Sequence, residues 1–212
     1  EILNNFNKND LLCVRPSSES SDWGGPSAIM NIGMNNLRYK ELKQKLGANA
    51  ASSIYINFVQ AYSLHVARLD PDIFNPVETQ NSAALAKVLE IYESETEHQF
   101  PQDINTQLSD ILRSMARTWE STTARLLRQA KGAPLDAGLG LVIQVMAFGI
   151  GEGECGTGTL QLIDENDGKP KIKGRYKAQS QRRPEKSSEG ALYLTKDNRG
   201  WSLEDNNAEI FR

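Results

Sequence analysis

Phe148-Gly149-Ile150-Gly151-Glu152-Gly153-Glu154-Cys155-Gly156-Thr157-Gly158 places five glycines among eleven residues. An apolar run precedes it over 139–148, and the alternating stretch Thr159-Leu160-Gln161-Leu162-Ile163 follows it. Both flanks are short, β-branched or alternating, and bounded by turn residues, so both read as strands. Glycine surrenders more backbone entropy on folding than any other residue. A cluster this dense predicts a backbone that bends sharply or approaches a ligand closely, and amide-rich loops of this kind commonly cradle phosphates. Gly151-Glu152-Gly153-Glu154-Cys155-Gly156 also satisfies the dinucleotide pattern G-x-G-x-x-G. That fingerprint needs a helix after the glycines, its N-terminus facing a pyrophosphate. A period-two strand follows here, and the dinucleotide reading fails on context. Strand, glycine loop, strand is instead the arrangement of a flap over nucleotide phosphates.

Upstream, Leu11-Leu12-Cys13-Val14 reads as a buried strand that Arg15-Pro16 ends, because proline cannot donate to a ladder. Arg15 has two readings, a cation pointing outward at a sheet margin or one facing phosphate, and the residues alone leave both open. Serines and Gly24-Gly25-Pro26 mark a loop over 17–26. From 36 to 130 the period becomes helical. Ala51, Ile54, Tyr55, Phe58, Tyr62, Val66 and Leu69 form one apolar face, and Asp70-Pro71 stops that helix. Ala84, Leu85, Val88, Leu89 and Tyr92 form a second stripe. Asp103 is the expected N-cap of a third helix carrying Ile104, Leu108, Ile111, Leu112 and Met115. Trp119, Leu126 and Leu127 continue it or belong to a fourth helix.

Downstream of the glycines, Asp167-Gly168 signals a hairpin turn and 171–176 its returning strand. Residues 179–190 read as a polar loop, basic at Arg182-Arg183, 191–195 as one more strand, and 202–212 as the opening of a helix.

Hydrophobic residues make up 39% of the 212 and charged residues 24%, with a net charge of −3. That balance shows no electrostatic footprint for nucleic acid or an anionic membrane. No apolar run approaches the roughly 20 residues of a membrane span. Cys13 and Cys155 are the two cysteines, read as free thiols of a reducing, cytoplasmic setting. The chain starts at Glu1 without a signal-peptide pattern, and reads as part of a longer chain. His65 is expected to be structural and His98 a solvated loop residue; neither has a partner at metal-ligand spacing. The serines at 17–21 lack a G-x-S-x-G elbow, and no V-A-I-K, H-R-D or D-F-G is present, so neither a nucleophilic serine nor a protein kinase is indicated.

Several segments, in collinear order over nearly the whole chain, resemble the N-terminal ATP-grasp-type nucleotide-binding domain of the pyruvate phosphate dikinase family. Leu11-Leu12-Cys13-Val14-Arg15-Pro16-Ser17 is similar to L-L-V-S-V-R-S-G-A, whose arginine binds phosphates. Gly25-Pro26-Ser27-Ala28-Ile29-Met30-Asn31-Ile32-Gly33-Met34-Asn35 is similar to P-G-M-M-D-T-V-L-N-L-G-L-N. Phe58-Val59-Gln60-Ala61-Tyr62 parallels F-I-Q-M-Y, while Phe100-Pro101-Gln102-Asp103 with Gln107-Leu108, then Thr118-Trp119, follow F-P-x-D-P-x-x-Q-L and S-W. Val142-Ile143-Gln144-Val145-Met146-Ala147-Phe148-Gly149, leading into Gly156-Thr157-Gly158, is similar to V-N-V-Q-x-M-V-F-G-N-M-G-x-x-S-G-T-G. Gly174-Arg175-Tyr176 and Ala178-Gln179 resemble the closing G-E-Y and A-Q.

The resemblance implies an α+β, ATP-grasp-like fold: a first subdomain of 1–35 plus 136–149, a helical insert over 36–135, and a glycine-loop lid with a β-hairpin over 150–212. It implies ATP and Mg²⁺ as ligands, with the metal's own protein ligands outside this chain. Nucleotide contacts fall on Arg15, Gln144, Gly151, Gly153, Gly156, Thr157 and Gly158, and the phosphoryl group would pass to a histidine on a separate domain, alongside a pyruvate-binding domain. No catalytic residue falls in this chain. Three departures stand beside it. Thr123 replaces the arginine of S-P-R-A, Asp164 follows the loop where F-T-R has arginine, and Ser17-Ser18-Glu19-Ser20-Ser21-Asp22-Trp23 lacks the second arginine of S-G-A-R-A-S. A degenerate, non-catalytic homologue serving as a binding or regulatory module is therefore the alternative.

Overall fold

Leu12, Cys13 and Val14 open the central strand of a small sheet in the computed structural model of the chain, which describes residues 2–75, 77, 82–151, 153–164, 166–181 and 192–195. Strand β1 (Leu12–Ser17) lies between β2 (Ile29–Ile32) and β3 (Gly140–Val145), antiparallel to both. Successive side chains of a strand point to opposite faces. Leu12 and Val14 on one face are buried with Ile29 and Ile32, whereas Arg15 on the other is exposed.

Pro16 does not end β1. The strand continues to Ser17, with Pro16 opposite Leu141. The Met146 N–H donates to the Leu11 carbonyl at 2.8 Å, which sets the alternation of bonded pairs along the β1–β3 ladder. Pro16 then falls at a non-bonded pair, its nitrogen toward the β2 edge. The pairing with β2 reaches only Leu12 and Val14. No ladder bond is lost to the missing N–H, so the proline is tolerated.

Between β2 and β3 the chain is helical: α1 (Asn36–Leu46), α2 (Ala48–Tyr62), α3 (Ser82–Thr96), α4 (Ile104–Trp119) and α5 (Thr122–Ala130). Helix α2 is the hub and packs on α1, α3 and β2. Ala51, Ile54, Tyr55, Phe58 and Tyr62 are buried as their spacing predicts, and so are Ile56 and Val59 off that face. A helix apolar beyond a single stripe is one covered from several sides. Its α-helical part stops earlier than expected, at Tyr62, and a π-helical turn over Ser63–Ala67 closes with Arg68 left-handed at φ 60°. Phe100 completes this core, its ring edge-on to Tyr55, Phe58, Tyr62 and Tyr92 at centroid distances of 5.2–5.9 Å.

Asp103 caps α4 by accepting from the Thr106 N–H at 2.8 Å. Leu126 and Leu127 sit on the separate helix α5 and are largely exposed, while Trp119 ends α4 buried. Gln107, fully buried, ties distant backbone together: its side-chain carbonyl accepts from the Gly33 N–H at 2.8 Å, and its amide donates to Met34 O and Pro101 O at 3.0 and 2.7 Å.

A second unit, 147–212, contains an antiparallel sheet ordered β4 (Gly156–Ile163), β5 (Pro170–Ala178), β6 (Leu192–Thr195). The turn at Asp167-Gly168 joins β4 to β5, with Gly168 at φ 69°. The chain is thus a mixture of helix and antiparallel sheet, an α+β arrangement. The loop expected at 182–190 and the helix expected at 202–212 lie outside the described residues.

Candidate functional site

The glycine stretch divides differently from its sequence reading. Strand β4 begins at Gly156, three residues earlier than expected, so Gly156, Thr157 and Gly158 are strand residues opposite Ala178, Lys177 and Tyr176. Gly156 at the start of the strand and Gly149 in the loop before it both admit close neighbours. A β-carbon on Gly156 would strike the ring of Tyr176, whose hydroxyl donates to Cys155 O at 3.1 Å. A β-carbon on Gly149 would collide with the Ser180 carbonyl and the Thr157 hydroxyl. Both glycines are explained by packing within the unit.

Ladder alternation decides which amides remain available. The Gln179 N–H donates to Cys155 O at 2.8 Å, so 155 and 179 form a bonded pair. Thr157 opposite Lys177 is then a bonded pair too, and its N–H belongs to the sheet. Gly156 and Gly158 fall at non-bonded pairs, with N–H groups directed to the edge of β4, the outer strand among the described ones. The loop itself is held by two glutamines. Gln179 accepts from Gly151 N–H at 3.1 Å and donates to Gly153 O at 3.0 Å. Gln181 accepts from Gly149 N–H at 2.8 Å and donates to Ala147 O at 3.0 Å. Gly153 adopts a left-handed φ of 77° at the bend. Glu152 lies outside the described residues.

In the first unit, Arg15 pairs with Val142 and Cys13 with Gln144. Arg15 and Gln144 therefore share one sheet face as diagonal neighbours, both exposed. Burial pushes the Cys13 thiol up from its ordinary value, with the charge of Arg15 acting weakly the other way. Among the predicted site residues, the structure brings Arg15 together with Gln144, and the glycines with Thr157.

The sequence reading missed the cations of β5. Lys171, Lys173, Arg175 and Lys177 occupy alternate positions, the same period-two signal that identified the strands. Gln181 was also missed, with nothing local in the sequence to mark it, and Gln179 was singled out only as part of Ala178-Gln179, without its role in holding the loop.

His65 lies on the π-helical turn beside a cavity of about 120 Å³ that Ser27, Ser114 and Thr118 also line. Burial lowers its pKa, and the Ser114 hydroxyl donates to its backbone carbonyl. His98 is an exposed turn residue whose ring contacts Thr96 O at 2.8 Å. Among the described residues no group of three His, Cys, Asp or Glu side chains is placed to hold a metal. Nor is any described helix long and apolar enough to cross a membrane.

No protein-family model matches the chain. Among curated proteins it is similar to the pyruvate, phosphate dikinase of Clostridium symbiosum, 26% identical over 185 residues, covering 78% of this chain and 21% of that protein. The chloroplastic pyruvate, phosphate dikinase 1 of Zea mays is 25% identical over 188 residues, covering 81% of this chain and 20% of the enzyme. The Rickettsia conorii enzyme of the same name is 25% identical over 183 residues, covering 78% and 21%. The chain thus spans about a fifth of the length of the curated relatives it matches. The similarity is distant and partial, and it supports a segment related to pyruvate, phosphate dikinase.

Proposed function

We propose that this chain is the nucleotide-binding part of a phosphotransferase related to pyruvate, phosphate dikinase, taking up Mg·ATP so that a phosphoryl group passes to a histidine on a separate domain. Residues 1–35 with 136–149 would form a first ATP-grasp-like subdomain, 36–135 a helical insert and 150–212 a glycine-loop lid. Arg15, Gln144, Gly151, Gly153, Gly156, Thr157 and Gly158 would be the nucleotide contacts, the amides of Gly156 and Gly158 lying outside the β4–β5 ladder.

The observation that carries this reading is the outward alternation of the Gly156 and Gly158 N–H groups in a segment collinear with the dikinase motif. Backbone amides aimed at one edge suit an oxyanion, since their dipoles need no reorganisation as charge develops. Calorimetric titration with Mg·ATP tests it. Binding in the millimolar range or tighter is expected, with Arg15→Ala weakening it by about 1.5–3 kcal/mol, the usual worth of a hydrogen bond to a charged group. Absence of binding at millimolar nucleotide, in a chain extended at both ends, overturns the reading. Unchanged affinity in Arg15→Ala removes that residue from the site.

A second reading is a degenerate homologue kept as a binding or regulatory module. It is favoured by Thr123 and Asp164 in place of motif arginines and by Gln179 occupying the Gly151 amide. Retention of a protein partner without nucleotide binding is its signature.

A further inference from the structure

Lys173, Arg175 and Lys177 stand at every second position of β5 and so project from one face of its sheet, while a register shift against β4 separates Lys171 from that row. Opposite them on β4, the register sets Gln161 beside Lys173, Thr159 beside Arg175 and Thr157 beside Lys177. The other face carries Leu160 and Leu162 with Ile172 and Tyr176. The sheet is therefore two-sided, one side cationic and hydroxylated, the other apolar. We propose that the cationic side is a binding surface for a polyphosphate group, carried by a nucleoside triphosphate or met as inorganic tripolyphosphate.

Four observations point to that ligand. Lys171 is neutralised by Asp164, and Lys169 by Asp167, at the turn end of the hairpin. Lys173, Arg175 and Lys177 have no carboxylate partner among the described residues, and β5 contains no acid to supply one. The three cations stand at intervals of roughly 6.7 Å, spanning about 13 Å of strand, which suits several phosphates in line better than a single anion. Arg175 occupies the place of glutamate in G-E-Y, so the charge there is reversed in a chain whose net charge is −3.

The row also leads into the glycine loop. Thr157 shares the cationic face with Lys177, and Gly149 lies against the Thr157 hydroxyl. A phosphate chain along the row would end beside a loop rich in backbone amides. On β6 the register sets Tyr193 opposite Arg175 and Thr195 opposite Lys173, so the distinction from single-stranded nucleic acid, which stacks its bases on rings, falls to the oligonucleotide arm of the test. Tyr176 belongs to the opposite face.

The triphosphate form of the ligand rests on the nucleotide reading above; affinity for phosphate chains does not. The test titrates inorganic tripolyphosphate, Mg·ATP and a thymidine oligonucleotide into the chain and into the triple variant Lys173→Gln, Arg175→Gln, Lys177→Gln, at low and at physiological salt. Tripolyphosphate binding that weakens with salt, and by about tenfold or more in the triple variant, is the expected result. In the unmodified chain, amide shifts induced by tripolyphosphate should centre on 157–161 and 171–177, a readout that needs no variant to fold. Shifts elsewhere, equal affinity in the triple variant, or an oligonucleotide bound where tripolyphosphate is not, each overturns the proposal. Tripolyphosphate bound without Mg·ATP would sustain this surface and sink the nucleotide reading. Mg·ATP bound equally by the triple variant would do the reverse.

Discussion

Gln179 clasps the glycine loop at Gly151: its side-chain carbonyl takes the Gly151 N–H at 3.1 Å while its amide reaches Gly153 O at 3.0 Å. One exposed side chain thus spans the bend on both sides, and the loop amide most suggestive of phosphate in the sequence already has an acceptor. Gln179→Ala removes both bonds. With each net bond worth about 0.5–1.5 kcal/mol, exchange of the Gly151 amide should quicken several-fold while the core amides of α2 stay unchanged. Hydrogen exchange followed by NMR reads this directly, and an unaltered Gly151 rate would dissolve the clamp.

The packing of Tyr176 on Gly156 makes a coupled prediction. Gly156→Ala should destabilise the second unit by about 1–3 kcal/mol through overpacking. Adding Tyr176→Ala removes the obstructing ring, so the double variant should cost less than the two single changes summed. Strict additivity in a denaturation cycle would show that the ring is not the obstacle.

Gln107 joins three backbone groups from two remote segments and is fully buried. Replacing it by Leu strands the Gly33 N–H and two carbonyls out of reach of its amide. Leaving buried polar groups unsatisfied costs about 1–3 kcal/mol each, so a loss near the upper end of that range is expected in urea unfolding. A cost below half a kilocalorie, on the order of experimental scatter, would show that water replaces the side chain.

Asp103 supplies a prediction with a pH sign. The N–H and hydroxyl of Thr106 hold its carboxyl below the ordinary carboxylate value. A depressed folded pKa adds stability above the unfolded value, near 4, and loses it as pH falls through the folded one. Asp103→Ala should therefore cost about 1 kcal/mol at neutral pH, the usual worth of an N-cap, with the difference shrinking toward pH 2. Asp103→Asn, which keeps an acceptor, should restore most of it. A pH-independent difference would assign the effect to something other than the carboxylate.

Phe100 sits edge-on to four aromatic rings. Phe100→Ala should cost about 3–5 kcal/mol, and Phe100→Leu, which keeps most of the volume, distinctly less. Equal losses would mean that volume is not what the ring contributes.

Much of the fold was legible because its signals are local. Apolar residues three and four apart marked the buried side of α2, α3 and α4. An aspartate just before an apolar period marked the α4 cap, and Asp167-Gly168 marked the hairpin turn. Of the candidate site, the strand–loop–strand frame was legible, and so, in retrospect, was the alternation of cations along β5. Less was legible where neighbours in space are remote in sequence. Pro16 reads as a strand terminator until the short reach of β2 is known. Gly156 reads as a loop residue until Tyr176 is seen against it.

The sequence by itself marked the apolar period of α2, α3 and α4 and the extended runs at β1, β3, β4, β5 and β6, though not β2 (Ile29–Ile32), because side-chain period is a property of adjacent residues. Only the tertiary structure decided what the glycine stretch does with its amides. Which N–H groups a sheet consumes depends on pairing register, and Gln179 meets Gly151 across 28 residues of chain. Both are set by where two strands come to rest against each other, which no window of sequence contains.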